Sequence, residues 1–368
     1  MTASSPDAPD QGRAAIGRVA VLGVGLIGGS VALAARERLG ARVHGWDPDP
    51  AVAPRARARG ALDVASAGLE EAVDGAEVVV VAAPVPALPA AVAAALGAAP
   101  PGCVVTDVGS VKRGVMAAAG ADERFVGGHP LAGAEAAGVE HARADLFDGA
   151  TWYLTPPAGA SGILYERLHR LVVALGARPT AIEPDVHDRV IAAVSHLPHV
   201  LANVLVAQAA RALGAEETMP ATGPSFRDAT RVAGAHPALW AGIYTGNRDA
   251  LARQVEEAIE RLGVVRDALV AGADLEAWQA EAGAQRRDLL EAGLVGRAVR
   301  ELRVAVPNRP GVIAELALTL GRAGINISDM ALSPSPDGRN GVVALWCSAE
   351  QAARAAELIG GLGHPVTR

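Results

Sequence analysis

Cysteine is nearly absent from this chain of 368 residues: Cys103 and Cys347 are too few for a disulfide framework or a four-ligand metal centre. Such usage suits a reducing compartment, and a cytoplasmic location is expected. Aromatic residues are also scarce, at 5 Trp, 3 Tyr and 3 Phe. Stacking platforms for nucleic-acid bases are therefore few, and the core must be packed from Ala, Val and Leu. Positive charge is not in excess either: the formal net charge is −7, the wrong sign for a phosphate backbone, and nucleic acid is not an expected partner. Lysine occurs once, at Lys112, so every other basic residue among the 33 is an arginine. Residues 1–15 lack the apolar stretch of a signal peptide and read as a disordered tail. The uncharged stretch from Val78 to Thr106 is long enough for a membrane span, but Pro84, Pro86 and Pro89 would break a helix near its start. A buried strand, a turn and an Ala-rich helix suit it better, and no membrane is expected.

What is abundant is apolar: 51% of residues are hydrophobic and 20% charged, the balance of a globular chain with two or three domains at about 150 residues each. From residue 16 to 182, short β-branched runs alternate with Ala-rich helical stretches, the pattern of a parallel sheet covered by helices. Strands are expected near 18–22, 42–46, 77–83, 103–107, 124–128, 151–155 and 178–182, with an amphipathic helix over 161–175. Over 183–295 strand signals vanish. Val190, Ile191, Val194, Leu197 and Leu201, then Leu251, Val255, Ile259 and Leu262, recur at helical spacing. Their length and apolarity point to an all-helical domain buried against a copy of itself, a homodimer; a large monomeric bundle is the alternative. After a linker at Gly293–Ala298, residues 299–368 read as a ferredoxin-like βαββαβ module. Its parts are the strand Leu302–Val306, a helix with Ile313, Leu316 and Leu320, the run Gly324–Ile327, a turn at Pro336–Gly338, the strand Val342–Trp346, a helix from Ala349 and a last short strand.

The segment Gly23-x-Gly25-Leu26-Ile27-Gly28-Gly29-Ser30 places G-x-G-x-x-G between a strand and a helix, the arrangement of a Rossmann-type dinucleotide site in an α/β fold. The helix N-terminus then faces the pyrophosphate with free N–H groups. Asp47, 19 residues after Gly28 at the end of the next strand, is placed to bind the adenine ribose. A carboxylate there repels a 2′-phosphate, so NAD is expected rather than NADP, although Arg42, Arg55 and Arg57 could fold back toward the pocket.

Two further strands end in chemistry. Asp107-Val-Gly-Ser110-Val-Lys112 follows one, and the isolated lysine argues for a site needing a compact ammonium, the alternative being a chance helix cap. Gly127-Gly-His129-Pro-Leu-Ala-Gly133-Ala-Glu135 ends the other, where His129 could take a proton near neutrality and Ser110 could orient it; a purely structural histidine is the alternative. In the helical region, His196 and His199 lie three apart, but Pro198 intervenes and no metal is expected. Arg227 and Arg231, four apart, would share a helix face. Arg227 reads as solvated, and Arg231, followed by Trp240, as a carboxylate ligand.

Taken in order, Gly23–Ser30, Asp107–Lys112, His129–Glu135, Ser195-His-Leu-Pro-His199 and Phe226-Arg-Asp-Ala-Thr-Arg231 with Trp240 resemble the prephenate dehydrogenase family with a C-terminal ACT-type regulatory module. The resemblance runs from Arg18 to the C-terminus. It implies NAD-dependent oxidative decarboxylation of prephenate to 4-hydroxyphenylpyruvate in tyrosine biosynthesis. His129 would accept the ring-hydroxyl proton, with an ionisation near 6–7, and Ser110 would orient it. Arg231 and His199 would bind substrate carboxylate or carbonyl groups, with Lys112, His196, Glu135 and Trp240 beside them, and tyrosine would be an effector at the ACT-type module. Pro224-Ser225 stands where many members carry glycines, which puts a backbone contact to substrate there in doubt. Arogenate is the alternative substrate, with Glu135 as partner of its ammonium. A β-hydroxyacid dehydrogenase and a degenerate, ligand-sensing relative are the other readings.

Overall fold

The computed structural model describes residues 16–133, 136–212, 223–291, 299–335 and 339–367. The tail over 1–15, Glu135, the linker and the 336–338 turn lie outside the described residues. Five strands, β1 (Arg18–Leu22), β2 (Arg42–Trp46), β3 (Val64–Ala65), β4 (Val78–Val81) and β5 (Val104–Asp107), form a parallel sheet in the order β3-β2-β1-β4-β5. Period-two alternation splits their side chains between two cores. Val19, Val21, Val78, Val80 and Val104 join one apolar cluster, while Ala20, Leu22, Val79, Val81 and Val105 join the other. Both faces must therefore be covered by helices, as the unbroken apolar runs anticipate. The strand order reverses between β1 and β4, which opens a crevice at the carboxyl ends of the strands.

The next three strands do not extend that sheet, and here the expectation of one parallel sheet needs correction. β6 (Gly127–Pro130), β7 (Thr151–Thr155) and β8 (Arg178–Ala181) make a separate sheet in which β6 runs antiparallel to β7 and β7 parallel to β8. Among the described residues, the bridge Val105–Phe125 is the one strand pair that ties β5 to this region. Two glycines let the chain cross so closely: a Cβ on Gly127 would sit 2.2 Å from Thr155 Oγ1, and one on Gly128 2.5 Å from the Asp107 carbonyl oxygen.

Lys112 closes the crossing. Its side chain is fully buried, and its ammonium donates to the Asp107 carboxylate and, at 2.6 Å, to the carbonyl of Gly128. The N–H of Gly128 in turn donates to Asp107 Oδ1 at 3.1 Å. The lysine is thus not a substrate ligand: desolvation lowers its pKa, the Asp107 charge opposes this, and its donors point inward at β5 and β6.

The helical region opens with a continuous helix over Pro184–Ala212, long and apolar enough to cross a membrane by length and composition alone. Its middle is a π turn, Ala192–His196. This places the widened turn one step ahead of Pro198, whose ring would otherwise meet the carbonyl of Val194 in a regular helix. The helices Pro237–Gly246 and Arg248–Val270 follow, and Gly242 and Gly246 bring the former against Pro86 and Val85 beside the crevice, where each built Cβ would lie 2.8 Å from the facing side chain. The helical stripe read from the sequence is only partly buried within the chain: Ile191 and Leu251 are buried, whereas Val194, Leu201, Ile259 and Leu262 are exposed.

The C-terminal module has the expected order. β9 (Val299–Pro307), the helix Val312–Arg322, β10 (Asp329–Pro334), β11 (Asn340–Ser348), the helix Ala352–Gly361 and β12 (Val366–Thr367) form an antiparallel sheet, β10-β11-β9-β12. The run Gly324–Ile327 is a lead-in to β10 rather than a strand, with Ile325 and Ile327 buried as plugs. The module docks on the second sheet. Thr180 Oγ1 donates to Asn326 Oδ1 at 3.1 Å, the Gly311 N–H donates to the Ala160 carbonyl at 3.0 Å, and Gly321 touches the Ala181 carbonyl, where a Cβ would lie 2.0 Å away.

Because removing one partner of a buried ion pair strands the other, Lys112→Met should cost about 3–5 kcal/mol. At roughly 2–4 °C per kcal/mol this is a large fall in Tm. Adding Asp107→Asn should restore part of it. An unchanged Tm in the single variant would show that the pair does not hold the crossing together.

Candidate active site

Three glycines between β1 and the helix Leu26–Leu39 have separable jobs. Gly23 has φ +90°, and a Cβ there would lie 2.5 Å from the Ala82 carbonyl oxygen. At Gly28 a Cβ would lie 2.0 Å from the Gly23 carbonyl, so these two are required by packing. A Cβ on Gly25 would meet nothing within 4 Å, and that open side is the approach a pyrophosphate needs. The helix starts with neither a side-chain cap nor an acidic residue in its first turn, which leaves its N-terminal N–H groups, those of Leu26 and Ile27 among them, for an anion. The Leu26 and Ile27 side chains pack on the core, so their use to a cofactor is through the backbone. Asp47 is drawn to the same loop, accepting from the N–H of Val24 at 2.9 Å and of Asp49 at 3.0 Å. Arg55 turns away toward Glu140, 3.9 Å distant. These residues fit a dinucleotide with an unphosphorylated ribose.

His129, on β6, is 9% exposed. Its Nδ1 lies 2.8 Å from Nε2 of His187, whose Nδ1 lies 2.8 Å from Asp188 Oδ1. Burial, reinforced by the neighbouring imidazoles of His187 and His196 and the Lys112 ammonium, holds the His129 pKa well below 6.5. The imidazole is therefore neutral at neutral pH. Ser110 sits half-buried on the loop after β5, and the hydrogen bond recorded for the His129 ring goes to His187 rather than to Ser110. His187 and Asp188 were missed by sequence reasoning. The available signal was a histidine-aspartate pair in the first turns of a helix that leaves the carboxyl end of β8.

The helix Pro184–Ala212 supplies the opposite wall. His196 is buried, its pKa driven down to about 4 by burial, and its Nδ1 faces the Asn247 side-chain amide at 3.2 Å. Trp240 stacks on His199 with ring centroids 3.3 Å apart and stands edge-on to His196 at 6.0 Å. Burial and the nearby Arg231 charge lower the His199 pKa, an effect the backbone contact at Val232 opposes, so Arg231, His199, Trp240 and His196 form one cluster. The shared helix face expected for Arg227 and Arg231 is not formed. The helix Pro224–Thr230 ends first, with Thr230 Oγ1 donating to the Phe226 carbonyl at 2.6 Å, and the exposed Arg231 opens a 3₁₀ turn, Arg231–Gly234. Pro224 serves as the first residue of that helix, after Gly223. Lys112 is part of the scaffold at Asp107 and Gly128, and Glu135 is outside the described residues.

A neutral, buried imidazole thus stands near the wall formed by imidazole, indole and guanidinium, in a chain whose first strand ends in a dinucleotide-type loop. Residues 31–180 match the family model described as prephenate dehydrogenase, nucleotide-binding domain; residues 183–278 match the prephenate dehydrogenase dimerization domain, and residues 300–359 an ACT domain. The chain is 31% identical over 354 residues to the prephenate dehydrogenase of Bacillus subtilis (strain 168), covering 92% of this chain and 94% of that protein. It is 33% identical over 257 residues to the cyclohexadienyl dehydrogenase of Zymomonas mobilis, covering 68% and 88%. The solved structure of Aquifex aeolicus prephenate dehydrogenase in complex with hydroxyphenyl propionate and NAD+ is similar with a TM-score of 0.69 and 28% identity, over 74% of this chain and 98% of that one. Synechocystis arogenate dehydrogenase is similar with a TM-score of 0.65 and 25% identity, over 74% and 99%. With both dehydrogenase family models matched in order and a relative 31% identical over 92% of this chain, the chain belongs to the prephenate dehydrogenase family.

Proposed function

We propose that the protein catalyses the NAD-dependent oxidative decarboxylation of prephenate to 4-hydroxyphenylpyruvate, a step toward tyrosine, in the cytoplasm. The observation that carries this reading is the neutral His129 at the crevice between the glycine loop and the His199–Trp240–Arg231 cluster. NAD+ bound at Gly23, Gly25, Gly28 and Asp47 supplies the hydride acceptor. His129 takes the proton of the substrate's ring hydroxyl as the carbon bearing it is oxidised. The carbon–carbon bond to the ring carboxylate then breaks, its electron pair enters the ring, CO2 leaves, and the phenolic oxygen recovers a proton from His129. Arg231 and His199 hold the substrate's carboxylate and carbonyl groups, and Trp240 and His196 flank the ring. Ser110 borders both cofactor and substrate. In a protein of net negative charge, the guanidinium of Arg231 gives this cluster the positive charge that draws in a dianion. Arogenate is the second reading, favoured by the likeness to the Synechocystis arogenate dehydrogenase, with Glu135 as the contact for its ammonium.

Reduced-cofactor absorbance, followed with NAD or NADP and with prephenate or arogenate, tests the reading directly: NAD with prephenate should be fastest. His129→Asn should lower turnover by about 10²- to 10⁴-fold. Because burial disfavours the protonated imidazole, the active neutral form persists as pH falls. The acid limb of kcat/KM should therefore lie below 6.5, lower than the ordinary histidine range expected from sequence. A limb centred at or above 6.5 would contradict the burial of the base.

The exposed apolar side chains of the helical domain, Val194, Ile259, Leu262 and Val264 at 60–70% exposure, form the face through which two copies pair as a homodimer. Sedimentation should give twice the 37.2 kDa chain mass, and Ile259→Asp with Leu262→Asp should shift it to the monomer.

Tyrosine binds as effector in the cleft that Asn308, Arg309 and Leu332 share with Glu123, Ser161 and Ile163. Filling it by Ile163→Trp should abolish inhibition by tyrosine and leave uninhibited turnover intact; persistent inhibition would place tyrosine at the active site.

A further inference from the structure

We infer that Asp188 and His187 are positioning residues for the reaction: with His129 they form a buried relay that allows one tautomer of the base, leaving its Nε2 lone pair for the substrate. The inference rests on the reading of His129 as proton acceptor.

It follows from counting hydrogens. Asp188 Oδ1 accepts from the Lys112 backbone N–H at 2.8 Å and Oδ2 from that of Arg113 at 2.9 Å, while Oδ1 also faces His187 Nδ1 at 2.8 Å. Burial pushes the Asp188 pKa up, but the His187 contact and the two backbone donors outweigh it, and the group stays below the usual carboxylate value. An ionised carboxylate can only accept, so the hydrogen of that contact sits on His187 Nδ1. Neutral His187 then carries its lone pair on Nε2. The 2.8 Å contact to His129 accordingly needs its hydrogen on His129 Nδ1, since the other tautomer would oppose two lone pairs. The basic nitrogen of His129 is therefore Nε2.

The packing around His187 and Asp188 opposes a turn of either side chain. The His187 and Asp188 side chains are 0% and 1% exposed, Tyr153 stands edge-on to His187 at 5.7 Å, and the Asp188 carbonyl accepts from Asn247 Nδ2 at 2.8 Å. The ionisable groups acting on the pair are the Lys112 ammonium with its partner Asp107, His196 from the π turn, and Asp188 itself. When His129 gains a proton, the Asp188 charge lies at the far end of the relay and stabilises the imidazolium through His187.

The deciding variant is Asp188→Asn. The amide keeps the shape but removes the charge, and its NH2 must oppose the N–H of either Arg113 or Lys112; in the second orientation it donates to His187 Nδ1, inverts both tautomers and turns His129 Nε2 from acceptor to donor. Turnover should fall by about 10²- to 10⁴-fold, the scale of the equivalent change in a serine-protease triad, while NAD affinity and the KM for prephenate change by less than about threefold. His187→Gln, which can still accept from His129, should retain at least about tenfold more turnover than His187→Leu. Imidazole nitrogen NMR of the full-length wild-type protein should show His129 protonated at Nδ1 and bare at Nε2. The opposite tautomer, or native turnover in Asp188→Asn, would overturn the relay even if that variant folds poorly, because the wild-type spectrum needs no variant. Full turnover in His129→Asn would instead overturn the reading of the base, and the spectrum would still decide the relay.

Discussion

Everything at the base of the active site depends on how one buried ammonium is satisfied. An isolated lysine charge in a dry interior is prohibitively costly, and Lys112 is tolerated only because Asp107 and the Gly128 carbonyl converge on it. Those two partners belong to different sheets. Satisfying the charge therefore forces β6 to cross β5 at one place, immediately before His129. The lysine bears on the site by fixing where the His129 imidazole emerges. It also leaves a positive charge near that ring, which helps keep it unprotonated.

Much of this was legible in the chain. The spacing of Gly23, Gly25 and Gly28 and the distance to Asp47 follow from the steric needs of a strand–turn–helix around a pyrophosphate, which is why the structure reproduces that loop. The βαββαβ order of the C-terminal module was legible because its helices and strands differ sharply in period. Other features resisted. β6 reads as a strand, but side-chain period says nothing of pairing direction, and its antiparallel seat depends on Gly127 and Gly128 passing under Thr155 and over Asp107. Lys112 stood out by rarity, yet rarity does not say whether a charge faces a ligand or the interior. His187 escaped notice because its value lies in contacts 58 residues away in sequence.

The helical wall shows a further limit of periodicity. A three- or four-residue spacing presumes an unbroken α-helix, and both constellations violate it: His196 and His199 flank a π-to-α transition, and Arg231 lies just past a helix end. Each irregularity has a local cause, Pro198 in one case and the Thr230 hydroxyl bonded back to Phe226 in the other. They bring side chains to Trp240 from two segments that regular helices would not have aligned.

The docking of the C-terminal module has a consequence beyond packing. Its helix Val312–Arg322 presses Gly321 onto the Ala181 carbonyl and pairs Arg322 with Glu183, at the point where β8 passes into the helix carrying His187 and Asp188. The seat of the module and the seat of the histidine pair are thus two ends of one short rigid segment. A molecule that binds one seating of the module better than another changes the free energy of the substrate-binding state by the same amount as substrate changes the affinity of that molecule. Reciprocity of this kind requires no long chain of intermediaries in this protein, because only three residues lie between Glu183 and His187.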